Sequence, residues 1–84
     1  MKVNETLQAI RKDRGITQTK VAEFLTERGV EVTQRAVSKW ERGDTQPNTE
    51  QFLLLCELYD IRDALSTFKG QPGIFDTLNM NGKN

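Results

Sequence analysis

Residues 32–42 read VTQRAVSKWER, and Gly43 follows at once. At the helical period, Val37 and Trp40 share one face, Thr33 stands where an N-cap belongs, and Gln34, Arg35, Ser38 and Lys39 fall outside the apolar face. An amide that both donates and accepts, set beside two cations, is equipped to hydrogen-bond a polar or anionic surface. Two descriptions fit these residues: a solvated helix held down by a tryptophan, or a probe that enters a groove.

Catalytic chemistry finds little support elsewhere in the chain. There is no His, and Cys56 is the single Cys, so neither an internal disulfide nor a Cys/His zinc cluster can form. Glu23 and Glu27 lie four apart at helical spacing, but they read as a solvated face without a partner. We therefore expect no enzyme, no metal and no cofactor. The N-terminus lacks an apolar run of signal-peptide length, and the longest apolar block, FLLLC at 52–56, is far too short to span a bilayer. The composition fits a soluble cytoplasmic protein with no membrane partner.

The chain has 84 residues, one small domain's worth, with twelve basic and twelve acidic residues. A net charge of zero argues against a polyanionic partner until its distribution is considered. Residues 1–42 hold nine Lys/Arg against six Asp/Glu, and residues 43–84 hold three against six. The N-terminal half is the one suited to phosphate.

The elements that must position these side chains are short amphipathic helices, and the spacing predicts no strand. Val3, Leu7 and Ile10 place a first helix over about 4–14, closed by Gly15. Thr17 caps a second over about 18–28, with Val21, Ala22 and Leu25 inward and Gly29 as its stop. Thr33 caps a third over 34–42. Residues 43–48, GDTQPN, form a loop, and Asn48 with Gln51 makes a capping box for a fourth helix bearing Phe52, Leu55, Cys56 and Tyr59. A fifth runs from Ile61 to Phe68 with Leu65 and Phe68 inward, ended by Gly70 and Pro72. The expected architecture is an all-α, compact five-helix bundle over 1–69. Residues 70–84 are expected to be a flexible tail or linker. Helices 2 and 3, joined by a tight turn, have the character of a helix-turn-helix.

The runs T-Q-x-x-V-A-x-x-L (17–25), V-T-Q-x-x-V-S-K-W-E-x-G (32–43), P-x-x-x-x-F-x-x-L-C (47–56) and I-x-x-x-L (61–65) closely resemble the Xre or phage-repressor type of helix-turn-helix domain. The resemblance covers about residues 4–68. It implies the lambda-repressor-like fold, double-stranded DNA as partner, and helix 3 as a recognition helix in the major groove. Gln34, Arg35 and Lys39 would then read base edges, Ala36 would lie near a thymine methyl, and Ser38 would belong to the same surface. Gln can pair with adenine, and Arg or Lys with guanine O6 and N7. Thr17, Gln18, Thr33 and Arg42 would lie along phosphates, with Gln18 also steadying Gln34. Arg11 and Glu41 match a structural salt bridge between helices 1 and 3, and Trp40 is a core anchor.

The sequence departs from the family between Leu25 and Trp40, where TERGVEVT lengthens the passage between helices 2 and 3. We expect a longer helix 2 and an enlarged turn packed by Phe24, Val30 and Val32, with Arg28 exposed or touching phosphate. On helix 4, Leu54 and Leu58 form a second apolar ridge. With Phe68 or Phe75 they are candidates for a homodimer contact that places two recognition helices about one DNA turn apart. The tail is expected to lead toward a C-terminal effector region absent from this chain. The expected function is a dimeric transcriptional repressor on a palindromic operator. A protein-interaction module, such as an antitoxin or adaptor, is the alternative.

Overall fold

The computed structural model describes residues 2–71, and these form helices α1 (Val3–Asp13), α2 (Gln18–Glu27), α3 (Gln34–Arg42), α4 (Thr49–Tyr59) and α5 (Ala64–Thr67). No strand occurs among the described residues. The expected tail lies outside them from residue 72 on, as does Phe75.

Helices α2 to α5 each start at a residue whose side chain accepts from a free N–H group of the first turn. The Thr17 hydroxyl accepts from Lys20 N–H, and the Thr33 hydroxyl accepts from Ala36 N–H. Asn48 accepts from Gln51 N–H while the Gln51 side chain accepts from Asn48 N–H, a reciprocal capping box. The long helices also leave in a common way. Backbone bonds from Ile16 N–H to Arg11 C=O, Val30 to Leu25, Asp44 to Lys39 and Ile61 to Cys56 close each last turn.

The core gathers Val3 and Leu7 of α1, Val21, Ala22 and Leu25 of α2, Val37 and Trp40 of α3, Phe52, Leu55, Cys56 and Tyr59 of α4, and Phe68. Val32, from the α2–α3 turn, joins them, and Phe24 and Val30 pack against the cluster half-buried. The extra residues of the turn are thus spent on apolar packing. Small Ala22 on the inward face of α2 lets α3 approach closely.

The fifth helix corrects the sequence-based expectation. It is one turn, Ala64–Thr67, with Asp63 capping it through Ser66 N–H. Ala64 and Phe68, four apart, face the core, and Phe68 packs against Phe52 with ring centroids 5.5 Å apart. Leu65 is rotated off that face and is 51% exposed rather than inward. Phe68 is 0% exposed, so it closes the core and offers nothing to a second copy. Leu54 and Leu58 are half-buried against the core, whereas Leu53 is the exposed apolar residue of α4, at 56%. No helix among the described residues is long and apolar enough to cross a membrane.

Candidate nucleic-acid interface

The exposed side of α3 is organised from a buried charge outward. Arg11 and Glu41 are both buried. Arg11 Nε donates to Glu41 Oε2 at 2.6 Å and Nη2 donates to Oε1 at 3.0 Å, a bidentate fork between α1 and α3. Its third nitrogen, Nη1, donates to Ile16 C=O at 2.7 Å, which ties the α1–α2 turn to the same pair. The hydrogen bond to Glu41 raises the Arg11 pKa, against the opposing effect of burial.

From that pair the polarity runs to the surface. Ionised Glu41 can only accept, so Gln18 must turn its Nε2 toward Glu41 Oε1, at 2.8 Å. Gln18 Oε1 therefore faces the other way and accepts from Gln34 Nε2 at 2.6 Å. Gln34 keeps its own Oε1 and its second N–H outward, an acceptor and a donor side by side. This is the arrangement that pairs with N6 and N7 of adenine.

Next to Gln34 on the exposed face, Arg35 and Lys39 make no hydrogen bond or ion pair with any described residue. Ala36 is half-buried between them and the core. Arg42 is engaged: its Nη1 donates to Ser38 Oγ at 2.8 Å and its Nε to Asp44 Oδ2 at 3.0 Å. The remaining N–H groups of Arg42 and the Ser38 hydroxyl hydrogen have no partner among the described residues and stay available to an external acceptor. Thr17 and Thr33 are exposed at the starts of α2 and α3, where the first N–H groups and the helix dipole favour an anion. All nine residues that the sequence pointed to for DNA contact thus lie on α3 or at the starts of α2 and α3.

The enlarged turn adds features that residue types alone do not reveal. Arg28 sits over the Phe24 ring, 4.4 Å from its centroid, and forms an ion pair with Glu57 of α4. Its charge is spent within the fold. Thr26 Oγ1 donates to Val32 C=O at 3.2 Å and accepts from Val32 N–H at 3.3 Å. At the other end of α3, Asn4 Nδ2 donates to Glu41 C=O at 3.0 Å. Glu23 and Glu27 line an open surface groove beside Thr26, Val32 and Gln34, and Glu23 lies 3.9 Å from Lys20. No group of three or more His, Cys, Asp or Glu suited to a metal occurs among the described residues.

Comparison with known proteins agrees with this fold. The helix-turn-helix family model matches residues 7–64. The chain is 34% identical over 61 residues to the HTH-type transcriptional activator BcrR of Enterococcus faecalis, an overlap of 73% of this chain. It spans 28% of that relative's length. No solved structure matches significantly. An all-helical fold with α2 and α3 in helix-turn-helix order, matched by this model over most of its length, belongs to the Xre-type helix-turn-helix family of DNA-binding transcription regulators.

Proposed function

We propose that the chain is a sequence-specific, non-enzymatic regulator in the cytoplasm that binds a palindromic operator as a homodimer, with α3 in the major groove. The observation that carries this reading is the run of hydrogen bonds from Arg11 through Glu41 and Gln18 to Gln34, beside unpartnered Arg35 and Lys39. A solvated helix face has no need for an amide whose orientation is dictated from the core. Gln34, Arg35 and Lys39 read base edges, with Ala36 placed for a thymine methyl. Thr17, Gln18, Thr33, Ser38 and Arg42 border the phosphates. Direct occlusion of a promoter makes the described domain a repressor, whereas activation requires a further contact with the transcription machinery.

Pairing follows from the charge. A neutral monomer gains little from phosphate neutralisation, and two copies double the contacts. The α4–α5 side, with exposed Leu53 and Leu65 and half-buried Leu54 and Leu58, is the surface we assign to the second copy. The same exposed leucines support a second reading, a protein-interaction module of antitoxin or adaptor type.

Selection from a random-sequence duplex library at two salt concentrations separates the two. A DNA-reading dimer recovers a motif of two inverted half-sites about 10 bp apart, centre to centre. Recovery of no motif by the folded chain leaves the interaction module as the better reading.

A further inference from the structure

We infer that Thr26 is a positioning residue for sequence recognition: its hydroxyl fixes the enlarged α2–α3 turn and thereby sets where the reading face of α3 points. The inference rests on the assignment of α3 as the DNA reader. Between the end of α2 at Glu27 and the start of α3 at Gln34, the chain first closes α2 through Val30 N–H to Leu25 C=O. It then passes exposed Glu31 and buries Val32. Among the described residues, no other hydrogen bond joins the body of α2 to the turn between Glu31 and Thr33. Thr26 Oγ1 alone serves both backbone groups of Val32, donating at 3.2 Å and accepting at 3.3 Å.

A hydroxyl is the group this geometry needs, because it can donate and accept through one atom. Thr is otherwise a poor choice in the last turns of a helix, where its branched side chain lowers helix propensity. Val32 adjoins the cap Thr33, and Gln34 and Arg35 come next. A rotation of the backbone at Val32 is therefore carried directly into the two leading readers. The other end of α3 is held separately by Asn4 and by the Arg11–Glu41 pair. Losing the Thr26 bonds leaves α3 folded and anchored, with its reading end held to α2 by the Gln18–Gln34 bond and no longer fixed through the turn.

The test compares Thr26→Val, which keeps the shape and removes the hydroxyl, with Thr26→Ser, which keeps the hydroxyl. Amide hydrogen exchange at Val32 is measured on the full chain. Affinity is measured for the duplex the wild type selects from a random library, against a scrambled duplex. The expected result is that Thr26→Val loses protection at Val32 and retains its salt-dependent binding to scrambled DNA. Its preference for the selected duplex falls about tenfold, the scale of one lost bidentate base contact. Thr26→Ser keeps both protection and preference. Unchanged protection and preference in Thr26→Val overturn the inference, and so does an equal loss in Thr26→Ser, which points to methyl packing. If the wild type selects no motif, the DNA-reading assignment and this role fall together. Protection at Val32 in the two variants then reports only whether the hydroxyl holds the turn.

Discussion

Glu41 carries a charge that the fold has removed from water, and Arg11 supplies its compensation through the fork at 2.6 and 3.0 Å. Breaking such a pair leaves a buried charge alone, which typically costs about 3–5 kcal/mol. Glu41→Ala is expected to lose stability on that scale in urea denaturation. Replacing both partners, as Arg11→Met with Glu41→Leu, should restore most of it. The double variant nevertheless loses the acceptor that orients Gln18 and through it Gln34, so base preference at the Gln34 position stays relaxed while stability recovers. Cys56 gives a second residue-scale expectation. Burial pushes its thiol from the ordinary value of 9.0 to about 11. The native state thus holds its proton to higher pH than the unfolded chain does. The associated stability, about 2–3 kcal/mol by linkage, is fully present below pH 9 and is lost as pH rises toward 11. Tyr59 is raised by burial as well, so the comparison is with Cys56→Ala, whose stability should fall less over that interval. Equal slopes for the two proteins would remove the thiol from the account.

At the scale of elements, the ends of α2 and α3 respond differently to the same change. Gly29 and Gly43 both have positive φ, 87° and 82°. Around Gly29 nothing lies within 4 Å of an added Cβ, so Gly29→Ala should cost only the left-handed penalty, about 1–2 kcal/mol. At Gly43 the new Cβ meets Asn4 Nδ2 at 3.2 Å, and that atom is committed to Glu41 C=O. Gly43→Ala should therefore cost more than Gly29→Ala in thermal or urea unfolding, and the reverse order would contradict the packing described at the end of α3. The first four helices were legible because caps and apolar spacing are local: Thr17, Thr33, Asn48 and the Val21–Leu25 stripe announce themselves. The pairing of Arg11 with Glu41 and of Gln18 with Gln34 is implied by the family resemblance and not by spacing. The bonds of Thr26 were not legible, since they join a helix to a turn whose path no periodicity describes. The continuing apolar pattern after Ile61 suggests two turns with Leu65 inward, whereas Asp63 caps a single turn that leaves Leu65 exposed.

For the whole molecule, binding has to overcome a net charge of zero, and the fold contributes by internal pairing as much as by exposure. Arg11 neutralises Glu41 behind the reading face, Arg28 is drawn to Glu57 on α4, and Arg35 and Lys39 are left outward. If pairing supplies the remaining affinity, the full chain sediments as a dimer. Leu53→Glu, which alters an exposed position and leaves the core intact, sediments as a monomer with the same helical content. Identical profiles would remove the α4–α5 side from the assembly. The division between reading and positioning is tested most directly by measuring Arg35→Ala on the duplex the wild type selects and on a scrambled one across a salt series. Loss of a base reader lowers the preference for the selected duplex by about 1–3 kcal/mol per site, while binding to scrambled DNA keeps most of its strength and salt dependence. Equal weakening on both duplexes, with the preference intact, would make Arg35 a phosphate contact and contradict α3 as the element that reads sequence.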